Sequence, residues 1–166
     1  MQKKVFQIIV NNTSGVLSRI SGLFSRRGYN VESITAGTTT DDGITRITIV
    51  ASGDLEALEQ IEKQLAKLED VLTIKELKPD ESVYRELILL KVKVLPQDRQ
   101  SVMSVADIFR AKIIDVAPES LIIELTGNQQ KIDAFISLLE GYEILEQART
   151  GIAGLGRGTE HILYRE

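Results

Sequence analysis

The sequence predicts an α+β protein built from two tandem ferredoxin-like domains, each with the element order βαββαβ. Two observations lead to this fold class. Apolar runs with strand-like and helix-like spacing alternate in the same order in both halves of the 166-residue chain. The periodicity stops once, at residues 77–82, where lysine, proline and acidic residues follow one another. Each half is therefore predicted to form an antiparallel sheet with two helices on one face.

The first half contains every element of this unit. We expect strands at residues 5–10, 30–36, 44–51 and 71–77. The first helix is predicted from the helical spacing of five apolar residues, Val16, Leu17, Ile20, Leu23 and Phe24. Gly28 is a typical residue to end it, because glycine readily adopts the left-handed conformation that terminates many helices. Asp54 is a typical N-cap for the second helix. That helix carries an apolar stripe on Leu55, Leu58, Ile61, Leu65 and Leu68.

The second half repeats that order after the break. We expect strands at residues 87–95, 112–116, 121–126 and 142–148, and helices at residues 98–109 and 128–140. The predicted domains are residues 1–78 and residues 79–166. A unit of about 80 residues buries only a modest fraction of its surface, so pairing with another unit would help to stabilise it.

The composition excludes several classes of protein. The net charge is −4 and aromatic residues make up 5% of the chain, so the basic, aromatic surface of an RNA-recognition domain is not expected. Because cysteine is absent, disulfides, thiolate catalysis and zinc–sulfur sites are excluded. No apolar run approaches the ~20 residues of a membrane span, and the N-terminal residues pass directly into a strand. We therefore expect a cytoplasmic protein that binds neither nucleic acid nor a membrane.

The most informative segment is the polar turn between the first strand and the first helix, which reads Asn-Thr-Ser-Gly from Asn12 to Gly15. The first N–H groups of a helix have no partner within the helix, so such a turn is a site for an anion such as a carboxylate. Gly15 would let the ligand approach the backbone closely. The alternative is an ordinary turn that the side chain of Asn12, Thr13 or Ser14 caps.

An enzyme is the weaker interpretation, because the sequence offers no catalytic constellation. His161 is the only histidine and lies near the C-terminus. Asp41 and Asp42 precede a glycine, which is typical of a hairpin turn. The glycine-rich residues 151–158 look like a phosphate loop, but no helix of useful length can follow them before residue 166. We expect a loose tail or a subunit-docking segment there, and neither a catalytic residue nor a metal ligand in this chain.

Several segments along the whole chain carry a family resemblance. They include NTSGVLSRISGLFSRRGYNVES at residues 12–33, LEQIEKQLAKL at 58–68, IFRAKIIDV at 108–116, KIDAF at 131–135 and ARTG at 148–151. This pattern resembles the small, regulatory subunit of acetolactate synthase (acetohydroxyacid synthase). The resemblance implies that the first half is an ACT domain, which dimerises and binds a branched-chain amino acid at the interface. The second half resembles the C-terminal domain of that family, for which we expect an ACT-like fold.

The same resemblance implies a partner, an effector and cofactors. The chain would activate a large catalytic subunit and confer feedback inhibition by valine or a close relative. Thiamine diphosphate, FAD and magnesium would be bound by that large subunit, and no cofactor is expected in this chain. The alternative is a free-standing amino-acid-binding module that acts as a sensor without a large subunit.

An amino-acid effector needs donors for its carboxylate, acceptors for its ammonium group and an apolar wall. We expect the carboxylate at the backbone N–H groups of the first helix. Side-chain carbonyls of Asn12 and, from the opposing protomer, Asn30 are candidate ammonium acceptors. Leu17, Val31 and Ile34 are candidates for the wall, with burial in the core as the alternative. The complete predicted effector site is Asn12, Gly15, Val16, Leu17, Ser18, Asn30, Val31 and Ile34.

Overall fold

The structure is a computed structural model that describes residues 1–162 of the chain. It divides into two compact units, one formed by residues 1–84 with the C-terminal segment from Ile152, the other by Arg85–Gly151. The elements of each unit follow the predicted order βαββαβ, so the predicted fold class is confirmed. Residues 163–166 of the predicted second domain lie outside the described residues.

The first unit contains a four-stranded antiparallel sheet with strand order β2-β3-β1-β4. Its elements are β1 (Gln2–Asn11), α1 (Val16–Arg27), β2 (Asn30–Thr38), β3 (Ile44–Gly53), α2 (Leu55–Ala66) and β4 (Val71–Glu76). One face of the sheet packs against both helices. Phe6 and Ile8 of β1 point into this core, where Ile20 of α1 and Leu58 of α2 are also fully buried.

The helix ends of the first unit follow from local chemistry. Gly28 ends α1 with a left-handed φ of 66°, as predicted, and its N–H donates to the carbonyls at the end of the helix. Asp54 caps α2, because its side chain accepts a hydrogen bond of 2.7 Å from the N–H of Ala57. Leu17 differs from the other apolar residues of α1. It is 48% exposed, so of the five apolar residues with helical spacing it is the one outside the buried face of α1.

The second unit repeats the arrangement with strand order β6-β7-β5-β8. Its elements are β5 (Ser82–Lys93), α3 (Arg99–Ile108), β6 (Lys112–Ala117), β7 (Ser120–Gly127), α4 (Gln129–Leu138) and β8 (Glu143–Arg149), with a 3-10 turn at Pro96–Asp98 before α3. Phe135 of α4 is fully buried, and its ring centroid lies 5.3 Å from that of Phe109. Of the helices in residues 1–162, none combines the length and the apolar character that a membrane crossing requires.

Residues 152–162, here called the C-terminal segment, pack against the sheet face of the first unit that is opposite the helices. Ile152 is buried in a cluster with Val5 and Val50, and Ile162 in a second cluster with Ile9. Between these ends the short strand β9 (Ala153–Gly156) pairs with β5, whose first residues, 82–84, belong to this same unit. The prediction of a loose tail is therefore wrong for these residues, because apolar contacts and strand pairing fix the segment.

Candidate functional site

The turn between β1 and α1 leaves the start of α1 without a side-chain cap. Gly15 is the N-cap residue and has a left-handed φ of 85°, a conformation that glycine adopts without strain. No side-chain hydrogen bond caps α1 within the described part of the chain. The alternative of an ordinary turn capped by Asn12, Thr13 or Ser14 is therefore wrong. The first N–H groups of α1 form a concentration of partial positive charge.

Asn12 is tied to the neighbouring hairpin instead of the helix. Its Nδ2 donates to the carbonyl of Asp42 at 2.8 Å, and its backbone N–H donates to the carbonyl of Gly43 at 2.8 Å. These two bonds fix the side chain at the end of β1. Because they use the amide nitrogen, the carbonyl oxygen Oδ1 is the atom that an ammonium group would meet.

An ion pair that sequence reasoning missed lies beside Gly15. Arg19 donates from Nε to Oδ2 of Asp70 at 2.6 Å, and its Nη2 contacts the same oxygen. Thr13 donates to the other carboxylate oxygen at 3.4 Å. The guanidinium also reaches back over the turn, since Nη1 lies 3.0 Å from the position that a Cβ of residue 15 would occupy. The one sequence signal was spacing, because residues 15 and 19 share a helix face.

The predicted site residues of β2 lie away from the turn, with Asn30 at the opposite end of the sheet and Ile34 level with its middle. Asn30 pairs with Ser52 of β3, which pairs with Lys3 at the beginning of β1. Asn12 follows Lys3 by nine residues, which corresponds to roughly 30 Å along a strand. Asn30 also donates from Nδ2 to the hydroxyl of Ser52 at 2.6 Å. A single chain therefore does not bring Asn12 and Asn30 together.

The apolar candidates and Ser18 differ in how far their side chains are exposed to solvent. Val16 is buried in the first core, so only its backbone is available to a ligand, and Val31 packs against the same core. Leu17 is 48% exposed and Ile34 is 38% exposed, so both side chains are accessible. Ser18 is exposed on α1. Of the three predicted wall residues, Leu17 and Ile34 thus have the surface that a ligand would contact.

The weaker chemical candidates have structural explanations. Asp41 accepts a hydrogen bond of 2.8 Å from the N–H of Gly43, which is typical of an aspartate that stabilises a turn. His161 is exposed, with Nδ1 3.2 Å from the carbonyl of Thr159. Across residues 1–162, no cluster of three or more histidine or acidic side chains has an arrangement that would hold a metal ion.

A cavity of about 440 Å³ lies between the C-terminal segment and the outer face of the first sheet. Gln7, Arg46 and Lys75 line it from the sheet, while Glu160 and His161 line it from the segment. Arg46 donates from Nη2 to Gln7 and, at 3.0 Å, to the carbonyl of Gly154. The cavity is therefore lined by positively and negatively charged side chains. The guanidinium of Arg46 links the segment to the sheet through its hydrogen bonds.

Comparison with known proteins agrees with this architecture. A family described as the small-subunit-like ACT domain of AHAS matches residues 6–73, and one described as the small subunit of acetolactate synthase matches residues 85–158. The acetolactate synthase small subunit of Haemophilus influenzae is 45% identical, over 97% of this chain and 99% of its own. A probable acetolactate synthase small subunit of Archaeoglobus fulgidus is also 45% identical, over 95% of this chain and 99% of its own.

A solved structure is similar throughout. The crystal structure of an acetolactate synthase small subunit from Thermotoga maritima is 40% identical and superposes with a TM-score of 0.88. The match covers 96% of this chain and all of the other. Sequence and structure therefore agree over both repeats, and this chain belongs to the family of acetolactate synthase small subunits.

Proposed function

We propose that this chain is the regulatory subunit of an acetolactate synthase in branched-chain amino acid biosynthesis. It activates a large catalytic subunit and confers feedback inhibition by valine or a close relative. Residues 1–78 act as the effector-binding and dimerising ACT domain, and residues 79–166 as the C-terminal domain of the family. Thiamine diphosphate, FAD and magnesium belong to the large subunit. The observation that carries this proposal is the uncapped start of α1 at Gly15, in a chain of this family.

The effector carboxylate binds at the start of α1. The N–H groups of Gly15, Val16 and Leu17 have no partner within the helix, and the helix dipole favours an anion there. The ammonium group donates a hydrogen bond to Oδ1 of Asn12. The hydrogen bond from Nδ2 of Asn12 to the carbonyl of Asp42 holds this side chain at the end of β1. The exposed side chain of Leu17 covers part of the isopropyl group. These groups supply only part of an amino-acid site.

The remaining part comes from a second copy of the chain. β2 is an outer strand of the first sheet and has one edge that no strand of this chain occupies, among the described residues. In the antiparallel register that pairs two copies of β2 along their whole length about a two-fold axis, Asn30 of one protomer lies beside residue 38 of the other. Residue 38 pairs with Thr45 of β3, which pairs with Val10 of β1, two residues before Asn12. The two-fold axis then creates two equivalent sites, each with residues from both protomers.

The test is reconstitution with the large subunit from the same organism. Thiamine diphosphate, FAD and magnesium are supplied, and acetolactate formation is measured with and without this chain over a valine titration. We expect this chain to raise the activity, valine to lower it, and the chain alone to turn over nothing. If valine binds but the chain neither activates nor inhibits the large subunit, the free-standing sensor is the better description.

The site and the dimer have separate tests. Asn12→Ala and Asn30→Ala should each weaken valine binding about tenfold in calorimetry, because each removes an acceptor for a charged group. Gln129→Ala, an exposed change in the second unit, is the control. Analytical ultracentrifugation should give a homodimer at micromolar concentration. A monomer in the presence of valine contradicts the shared site, and unchanged affinity in both asparagine variants removes these residues from it.

A further inference from the structure

We propose that Arg19 is the side chain that recognises the effector carboxylate and that Asp70 is the residue that positions it. This inference rests on the proposed effector site, and it adds to the backbone N–H groups of the turn a charged pair whose second member, Asp70, lies outside the motif. It starts from the ion pair between α1 and the loop before β4, in which Arg19 and Asp70 are 51 residues apart in sequence.

The geometry of the pair leaves one nitrogen of Arg19 for a ligand. Asp70 engages Nε and Nη2 through a single oxygen, Oδ2. The guanidinium is planar and rigid, so fixing these two nitrogens also fixes the third. That third nitrogen, Nη1, lies 3.0 Å from where a Cβ of Gly15 would be. Asp70 thus holds a donor of Arg19 over the residue at which the carboxylate is proposed to bind.

Asp70 is itself held in place. Its carboxylate accepts a hydrogen bond from Thr13 at 3.4 Å, and its backbone carbonyl accepts one of 3.1 Å from the N–H of Asn11. Its side chain is 21% exposed, whereas that of Arg19 is 51% exposed. The aspartate is therefore the fixed member of the pair, and the arginine is the member that a ligand can reach.

Electrostatics also favour a ligand here. A cation near the N-terminus of a helix is unfavourable, because the helix dipole already places partial positive charge there. Arg19 lies one turn from the start of α1, so its charge adds to that of the exposed N–H groups. Asp70 offsets part of this charge in the free protein. An effector carboxylate that accepts a hydrogen bond from Nη1 of Arg19 beside Gly15 would offset the rest.

The test compares two ligands that differ only at the carboxylate. Valine and valinamide share the ammonium group and the isopropyl side chain, but valinamide has no carboxylate charge. We expect the wild-type chain to prefer valine in calorimetry. Arg19→Gln should weaken valine binding about tenfold, a typical loss for a charge-assisted hydrogen bond, while valinamide binding stays the same. Arg19→Lys should not restore valine binding, because an ammonium group cannot bind Asp70 and present a second fixed donor.

Asp70→Asn tests the positioning role. We expect about threefold weaker valine binding, because the charge of Arg19 remains but its orientation is less restrained. Arg27→Gln is the matched control, since it removes the same charge from the exposed far end of α1. It should change neither the affinity for valine nor the affinity for valinamide.

The outcomes separate the two proposals. If the wild-type chain binds no branched-chain amino acid, the proposed function fails and this inference fails with it. If the wild type binds valine and Arg19→Gln binds it equally well, this inference alone is overturned. Equal losses of valine and valinamide binding also overturn it, because they would show that Arg19 supports the fold of the turn and not the carboxylate.

Discussion

The two repeats share one fold but differ at the turn before their first helix. In the first unit this turn contains Gly15 with a left-handed φ of 85°, and the cation Arg19 lies beside it. In the second unit a 3-10 turn occupies the corresponding place, with Pro96 at its start and Asp98 next to α3. Proline has no N–H to donate, and Asp98 already brings a negative charge to the positive end of the helix. Only the first turn therefore has the chemistry to receive an external anion.

The ion pairs of the two units also differ in how many guanidinium nitrogens are left for a ligand. In the second unit Arg149 binds Glu86 through Nε and Nη2 at 3.0 and 2.9 Å, and Nη1 donates to Asp133 at 3.3 Å. The hydrogen bond to Glu86 is the main reason that the pKa of Arg149 is raised. All three guanidinium nitrogens of Arg149 are therefore used within the unit. Arg19 differs, because its Nη1 faces the turn at Gly15.

The largest expected effect comes from Gly15→Asp, which should abolish valine inhibition and leave activation of the large subunit intact. The new carboxylate would lie beside Nη1 of Arg19 and take the place of the effector carboxylate. The left-handed conformation costs a non-glycine residue about 1–2 kcal/mol, and the helix dipole returns about 0.3–1 kcal/mol to an acidic residue here. The protein should therefore stay folded. The activity of the reconstituted enzyme with and without valine measures activation and inhibition, and circular dichroism shows whether the variant is folded.

Gln97→Asp is the control for that prediction, because it adds the same charge to the corresponding exposed turn of the second unit. It should leave valine inhibition unchanged. Retained inhibition in a folded Gly15→Asp protein would show that the effector binds elsewhere. Loss of inhibition in Gln97→Asp would remove the proposed difference between the two turns.

The next effect compares the two ion pairs by stability. Glu86→Gln should lower the free energy of unfolding by about 2 kcal/mol, because it removes the buried carboxylate that is the main partner of the partly buried Arg149. Asp70→Asn should cost less than ~1 kcal/mol, since the pair with Arg19 is half exposed. Urea denaturation gives both values. A loss in Asp70→Asn as large as that in Glu86→Gln would make the first pair structural as well.

Most of the fold could be predicted from the sequence because its signals are local. Strand alternation, the apolar stripe of α1, the stop at Gly28 and the cap at Asp54 each depend on a few neighbouring residues. The short strand β9 could not be predicted, because two of its four residues are glycines and its pairing depends on distant contacts. Gly154 shows how close these contacts are, because a Cβ there would lie 3.0 Å from Leu77 and 3.3 Å from the carbonyl of Val83.

The candidate site was predictable only in part, for the same reason. The polar turn and its glycine were visible in the sequence, and the structure places Gly15 at the N-cap. The partners of Asn12 and Arg19 were not visible, because Asp42 and Asp70 are 30 and 51 residues away. Contacts of that length depend on how the sheet brings its loops together. The effector-binding roles of the predicted residues remain a prediction.

The C-terminal segment gives the next prediction, since the βαββαβ repeat itself does not include it. Ile152→Ala should lower the free energy of unfolding by about 2 kcal/mol, because this buried side chain packs against Val5 and Val50. Leu155→Ala is the control within the same segment. Leu155 is 62% exposed, so its loss should cost less than ~0.5 kcal/mol. Equal effects of the two changes in thermal unfolding would mean that the segment does not depend on its buried anchor.

The smallest expected effect concerns Tyr84, at the start of β5. Its hydroxyl donates to the carbonyl of Leu77, and its pKa is raised to about 12, first by burial and then by the charges of Glu76 and Asp80. Between pH 10 and 12 the unfolded chain would have an ionised phenolate at this position, while the folded protein keeps the proton. The unfolded state then binds fewer protons, so the free energy of unfolding falls as the pH rises through this window. Tyr84→Phe should show a shallower fall in urea denaturation across the same range, although it starts from a lower stability because the hydrogen bond is lost. Identical slopes in the two proteins would mean that the phenol of Tyr84 is not held in its neutral form.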